Sequence, residues 1–444
     1  MAKRRRRKPV PQEPVEISIE KLSHEGRGIG HIEGKTVFVD GALPGERVMM
    51  KYAMTRGKFD EGYAIEVLEA ADNRVPAPCQ HFDMCGGCSL QHMDSEAQIE
   101  FKQSILAEHF KHFGDIEPDS WLPPLQADTL GYRKKARLGV RWVSKKESCL
   151  VGFREKRSNF LAEIESCEVL YDKVSDLIMP LRELIGGMDA KQSTPQIELA
   201  AGDDKLAFVI RHMEAMTDAD NAKWLDFAQQ NDIDLYYQSK GPKTVHKVWP
   251  EDNNERLSYQ LPEFNVELNF HPMDFTQVNS SINRKMVSLA LSLLEPEKNE
   301  RVLDLFCGLG NFTIPLATIA DKVIGVEGVD TMVERGYENA KHNNLTNVDF
   351  YQADLQQDFS EKSWAKEGFD KILIDPPRSG AKDVVEYLPK FGAKRIVYVS
   401  CNPATLARDA GIMKQQGYHL TKAGVMDMFP HTAHVESIAV FEKR

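Results

Sequence analysis

Alternation of apolar and polar residues is the first signal along the chain. Between residues 15 and 70 the apolar side chains come in short runs, Val15-Ile17-Ile19, Val37 and Val39, Val48 and Met50, then Ala64-Ile65-Val67. Gly26, Gly28, Gly30, Gly34, Gly41 and Gly45 punctuate them. A period near two broken by glycine predicts half-buried strands joined by tight turns. About five strands in so short a stretch predict a small closed barrel of the oligonucleotide-binding kind. A helix is expected over 95–113, and the region up to about residue 268 mixes strand and helix patterns without an internal repeat. From about residue 271, helix and strand alternate regularly, with strands expected at 301–305, 322–326, 348–351, 371–374 and 395–400. Ile396-Val397-Tyr398-Val399 is apolar without alternation, as strands buried on both faces are, so this part predicts a doubly wound parallel sheet. The run 435–441, close behind 418–425, predicts a hairpin added at the sheet edge.

The composition agrees with several folded domains. The chain has 444 residues, 42% of them hydrophobic and 28% charged, too apolar for a disordered polymer. Its net charge of −11 excludes a protein that coats nucleic acid, yet Lys-Arg-Arg-Arg-Arg-Lys at 3–8 concentrates positive charge in one arm suited to phosphate. That arm runs into Pro9-Val10-Pro11 rather than an apolar stretch, so no export signal is expected. The best membrane candidate, 286–294, has about half the length of a spanning helix and is interrupted by serine. A cytoplasmic protein without membrane contact is expected. Seven cysteines in such a chain point to metal-binding or catalytic thiols rather than a disulfide framework. Lys51, Arg56 and Lys58 beside Tyr52, Phe59 and Tyr63 suit an RNA-binding face on the barrel.

Chemistry concentrates at the ends of the expected parallel strands. Val302-Leu303-Asp304-Leu305-Phe306-Cys307-Gly308-Leu309-Gly310-Asn311 is a strand running into a glycine turn and a helix. Small residues there let backbone approach a ligand, while free amides at the helix start favour polar groups. Thr313 stands where a dinucleotide fingerprint has its third glycine, which disfavours NAD and favours S-adenosylmethionine. Glu327, ending the next strand, is placed to accept ribose hydroxyls, and Asp354, after the third, to reach adenine. Asp375-Pro376-Pro377-Arg378 ends the fourth strand and Ser400-Cys401-Asn402-Pro403 the fifth. A thiol at that edge is a candidate nucleophile, and helix onset at Pro403 is expected to lower its pKa. Cys79, Cys85 and Cys88, with Gly86-Gly87 between the last two, would repel as thiolates unless a metal neutralised them. Either zinc or a 4Fe-4S cluster fits, with Cys149 and Cys167 competing as fourth ligand.

These residues resemble the RNA uracil-C5 methyltransferase family, whose nucleophile motif is similar to Ser400-Cys401-Asn402-Pro403 and whose base motif is similar to His434-Val435-Glu436-Ser437. The resemblance covers nearly the whole chain and implies a multidomain α/β protein: an N-terminal OB-like TRAM β-barrel, a mixed α+β central domain and a C-terminal Rossmann-like methyltransferase domain. The boundaries expected are 1–14 for the basic arm, 15–72 for the barrel, 73–268 for the central domain and 269–444 for the methyltransferase domain. It implies Cys401 as nucleophile and Glu436 as general base. It carries S-adenosylmethionine binding onto Gln277, Phe306, Asn311, Glu327, Asp354 and Asp375, and a 4Fe-4S cluster onto Cys79, Cys85, Cys88 and Cys167. Cys149 and Cys307 are then left for packing. The expected partner is 23S ribosomal RNA, with transfer RNA the alternative, and the expected state is a monomer. Two rivals predict other things. A radical S-adenosylmethionine enzyme needs Cys-x3-Cys-x2-Cys, whereas the first gap here is five residues. A non-catalytic RNA chaperone would need neither Cys401 nor Glu436.

Overall fold

The computed structural model describes residues 10–443, so the basic run at 3–8 lies outside the described residues. They form two compact units: one runs up to Lys102 and adds Glu155–Ser158 and Phe429–His434, and the rest of the chain forms the other.

The first unit opens with strands β1 (Val15–Ser18), β2 (Lys21–Leu22), β3 (Gly28–Ile32), β4 (Lys35–Asp40), β5 (Arg47–Thr55) and β6 (Phe59–Glu69), hydrogen-bonded in the order β1-β5-β6-β4-β3-β2. Only Ile19 and Glu20 separate β1 from β2. Their amides donate to Glu46 O at 2.9 Å and Ile29 O at 2.8 Å, so one bent segment pairs on both sides and closes the sheet into the expected barrel. Closure needs Gly30, because a Cβ there would sit 2.3 Å from the Ser18 carbonyl oxygen. Ile17, Ile19, Val37, Val39, Val48 and Met50 fill the interior, as the alternation required. Arg74 ties the following segment to the barrel through buried Glu46, whose carboxylate also accepts from Leu43 N at 2.8 Å.

The helix Ser95–His109 follows. Its buried Gln98 accepts from His431 N at 2.8 Å, and its Lys102 Nζ donates to Phe429 O at 3.1 Å. His431 O accepts from the amides of Ser89 and Leu90, both at 2.9 Å. Phe429–His434 is thereby held in the first unit by residues distant in sequence.

In the second unit, β7 (Ser120–Trp121) precedes a six-stranded sheet made of β8 (Lys135–Val143), β9 (Ser148–Gly152), β10 (Gln196–Ala201), β11 (Leu206–Arg211), β12 (Ile233–Gln238) and β13 (Val245–Trp249), ordered β13-β12-β11-β10-β8-β9. The helix Ile178–Gly186 packs on β9, and Asp218–Gln230, with buried Trp224, packs on β12. A hairpin of β14 (Leu257–Leu261) and β15 (Val266–Phe270) leads to the helix Ser280–Leu294.

The last sheet holds β16 (Arg301–Leu305), β17 (Lys322–Glu327), β18 (Val348–Gln352), β19 (Lys371–Ile374), β20 (Arg395–Ser400), β21 (Tyr418–Met426) and β22 (Glu436–Lys443), ordered β18-β17-β16-β19-β20-β22-β21-β7. Strands β16 to β20 are parallel, and β22 is antiparallel to both β20 and β21. The expected doubly wound sheet is present. The terminal hairpin, however, is not its edge: β7 pairs in parallel with β21 and lies outside it. Among the described residues no helix is long and apolar enough to cross a membrane.

Candidate active site

Strand order reverses between β16 and β19, so the loops after these two strands leave in opposite directions and open a crevice at the carboxyl edge. Asp375 N donates to Leu305 O at 3.2 Å, fixing the two strand ends side by side. The loop after β16 begins with Phe306 in the left-handed region at φ 64°, a conformation rare for a bulky side chain and frequent at ligand sites. Amides of Phe306 and Cys307 both reach Val326 O, at 2.9 and 3.1 Å, which lays the loop across the end of β17. Gly308 N then donates to the Glu327 carboxylate at 3.1 Å, and the same side chain accepts from Gly328 N at 2.8 Å. Gly308 itself has φ 54° and open space where a Cβ would stand, a cradle that any other residue would partly fill.

Beneath this loop Asp304 is fully buried. Thr313 Oγ1 donates to its Oδ2 at 2.5 Å, while its Oδ1 has no hydrogen-bond partner among the described residues. Burial, reinforced by the charges of Asp375 and Glu327, pushes its carboxyl up to about 8. Partly buried Asp375 is pushed up to about 7 by desolvation. Asn311 forms a reciprocal amide pair with Asn283, at 3.0 and 2.9 Å, and accepts from Tyr259 Oη at 2.8 Å. Neither partner belongs to the expected site residues. Asn283 had a legible signal, since it is a polar residue buried on the apolar face of the helix Ser280–Leu294. Asp354 is exposed and accepts from Gln356 N and Gln357 Nε2, both at 3.0 Å. Gln277 lies half-buried in the loop between β15 and that helix.

Cys401 and Glu436 come together through strand register. Ser400, the last residue of β20, is opposite Ser437 of β22, so the residue after the first and the residue before the second flank one pair at the carboxyl edge. Glu436 is only 6% exposed, in an inner strand rather than at a solvated end. Asn402 joins the neighbouring loops: its Oδ1 accepts from Ala404 N at 3.1 Å, capping the helix Pro403–Gln415, and its Nδ2 donates to Arg378 O at 2.9 Å. The expected lowering of the thiol's pKa is reversed. Burial, then the negative charges of Glu436 and Asp375, push Cys401 up to about 11, and only Arg378 among its charged neighbours pulls it down. Desolvation and two carboxylates thus act against the lowering expected from the helix start.

All seven cysteines are free thiols. Cys79, Cys85 and Cys88 belong to the first unit, where Gly87 N donates to Cys85 Sγ at 3.4 Å and Cys79 N to Gln91 Oε1 at 3.1 Å. Burial pushes Cys88 up to about 11, and the charges of Cys85 and Cys79 add to the rise. Cys167 belongs to the second unit and is buried, its amide donating to Ser175 Oγ at 2.9 Å. Among the described residues no group of three or more His, Cys, Asp or Glu side chains is arranged to hold a metal ion. Cys149 and Cys307 are buried, in keeping with packing roles.

A doubly wound sheet carries a glycine loop and acidic strand ends at its switch point, and a thiol beside a carboxylate on the next strands, all at the carboxyl edge where ligands of such folds bind. Residues 94–444 match the family described as tRNA (Uracil-5-)-methyltransferase, and residues 13–51 match the TRAM domain. The chain therefore belongs to the RNA uracil-C5 methyltransferase family. It is 56% identical over 439 residues to the 23S rRNA (uracil(1939)-C(5))-methyltransferase RlmD of Alcanivorax borkumensis, with 99% of each chain covered. It is 54% identical to the protein of the same name from Hahella chejuensis, again over 99% of each. The crystal structure of Pyrococcus abyssi tRNA (uracil-54, C5)-methyltransferase in complex with S-adenosyl-L-homocysteine aligns with 96% of this chain and 100% of its own, at 26% identity and a TM-score of 0.73. The N-terminal barrel is thus a TRAM domain and the C-terminal sheet a methyltransferase fold.

Proposed function

We propose that the protein methylates carbon 5 of a uridine in 23S ribosomal RNA, uridine 1939 in the numbering carried by its relatives' names. The observation that carries the chemistry is the placement of Cys401 and Glu436 around one register pair at the carboxyl edge of the sheet. Identity above half along the full length to relatives of that name supports the choice of RNA. Gln277, Phe306, Asn311, Glu327, Asp354 and Asp375 hold S-adenosylmethionine, and the open space beside Gly308, bounded by the Glu327 carboxylate, fits such a ligand. When bound, S-adenosylmethionine supplies a methyl group on a positively charged sulfur.

Carbon 5 of uracil is a weak nucleophile. The Cys401 thiol gives up its proton to solvent, the thiolate adds to carbon 6, and the electron pair displaced onto carbon 5 makes that atom nucleophilic. Once carbon 5 carries the methyl group it still bears its hydrogen. Glu436 takes that proton, the carbon 5–carbon 6 double bond re-forms, and the thiolate leaves. Burial of Glu436 keeps water from competing for the proton. Every catalytic and cofactor residue named here comes from one compact unit of one chain, so the site needs no second copy and a monomer suffices, and a ribosomal substrate is consistent with a cytoplasmic reaction.

The cluster is proposed on donor chemistry. Burial and the charges of Cys85 and Cys79 push the Cys88 thiol up, an amide already donates to the Cys85 sulfur, and a metal centre would relieve the repulsion of neighbouring thiolates. Cys79, Cys85, Cys88 and Cys167 would hold 4Fe-4S, whose task would be structural or RNA-orienting, because the proton and methyl steps consume no electron.

Purified protein is incubated with methyl-labelled S-adenosylmethionine and unmodified 23S RNA, and the label is mapped. Label in 5-methyluridine at position 1939 is expected. Label in transfer RNA alone would refute the assignment.

A further inference from the structure

Away from the methyl-transfer residues, the second unit carries a cavity of about 470 Å³ on a face of the six-stranded sheet. Cross-strand rows build it. Gln196 of β10 and Gln238 of β12 are both register partners of Arg211 of β11, which puts a glutamine on either side of that arginine. Two residues along β10, Glu198 is opposite Arg137 of β8. Opposed residues share a face of the sheet, and these line the cavity together with Lys240.

Its charges are unbalanced. Arg137, Arg211 and Lys240 meet one carboxylate, Glu198, which already accepts from Arg137 Nη2 and Gln196 Nε2, both at 2.9 Å. Arg211 Nε is buried with no hydrogen-bond partner among the described residues, a state that costs free energy until an acceptor arrives. Met213, 62% exposed, and Met273 add apolar wall of the kind a planar base can lie on. On a chain of net charge −11, a donor-rich concavity of this sort selects an anion. The flanking amides select more than charge. Each offers one donor group and one acceptor, which is how unpaired base edges are read.

We infer that this cavity binds a single-stranded nucleotide of the RNA substrate other than the uridine that is methylated. Arg211 and Lys240 take its phosphate, Gln196 and Gln238 read the base edge, and Met213 lies against the base. The inference rests on the reading that the substrate is RNA. Met273 stands in the same loop as Gln277, so the cavity and the proposed cofactor site share a structural element.

The test uses the full-length protein and a 23S RNA fragment spanning the proposed target. Arg211→Gln combined with Lys240→Gln is expected to raise KM for RNA and weaken binding, read by fluorescence anisotropy, by about tenfold, and to lower the salt-dependence slope by about 1.5. Turnover and KM for S-adenosylmethionine stay at wild-type values. Lys240→Gln alone, at an exposed lysine, guards against misfolding and is expected to give a smaller loss in the same direction. A double variant that binds the fragment as tightly as wild type, with the same salt slope, overturns the inference; so does a loss confined to turnover. Wild-type protein that binds the fragment but never methylates it would instead sink the proposed reaction.

Discussion

Cys401, the proposed nucleophile, is predicted to be unusually unreactive in the free protein. Burial and the carboxylates of Glu436 and Asp375 push Cys401 from an ordinary 9.0 up to about 11. At pH 7.5 a thiol at 9 is about 3% thiolate and one at 11 about 0.03%, a hundredfold loss that the stronger nucleophilicity of the more basic thiolate offsets in part, leaving attack on a soft electrophile about tenfold slower. The perturbation is a pH series of alkylation by iodoacetamide, with the Cys401 peptide quantified by mass spectrometry so that the other six thiols do not interfere. The rate is expected to climb tenfold per pH unit through pH 10 without levelling. Glu436→Gln removes the neighbouring negative charge with the larger effect on the thiol, so its Cys401 is alkylated faster than wild type at each pH. Arg378→Ala removes the opposing cation and slows it. A plateau reached near pH 8, or a Glu436→Gln thiol slower than wild type, would refute the reasoning and restore the helix start as the dominant influence.

Three further outcomes are expected. Asp375, with its carboxyl near 7, is anionic above that pH and neutral below it, so affinity for positively charged S-adenosylmethionine, measured by calorimetry, falls as pH drops from 8 to 6, and Asp375→Asn removes most of that slope. Gly336→Ala would bring a Cβ within 2.5 Å of buried Phe350; the overpacking, about 1–3 kcal/mol, outweighs the helix-propensity gain of about 1 kcal/mol, so Tm falls. Protein purified without oxygen shows a broad visible absorbance that bleaches on reduction and is lost in Cys88→Ala; a colourless protein carrying one zinc would contradict the 4Fe-4S proposal.

What the sequence made legible follows from the range of the forces involved. Strands at 371–374 and 395–400 appear where expected because strands buried on both faces must be continuously apolar, a local requirement. The barrel's interior follows from alternation for the same reason. Ser120–Trp121 carries no pattern at all: two exposed residues become the sheet edge only because β21 offers unpaired backbone. Phe429–His434 looks like a loop of the last domain, yet it folds with the first unit through Gln98, a partner 333 residues away from His431. Cys401 shows the same limit in its electrostatics. Its place was readable from Ser400-Cys401-Asn402-Pro403, whereas its raised pKa depends on Asp375 and Glu436, which only the assembled sheet brings near. Asn283 and Tyr259, which fix Asn311, lie outside the glycine loop and so outside any motif built on it.

The central claim is that Cys401 bonds to uridine and Glu436 ends that bond. Glu436→Gln protein is incubated with S-adenosylmethionine and 23S RNA, digested, and examined by mass spectrometry for peptide-linked nucleotide. A methylated uridine attached to Cys401, stable to denaturation and absent in Cys401→Ala, is predicted; full methylation by Cys401→Ala, or a Glu436→Gln protein that turns over normally and leaves no adduct, would contradict it.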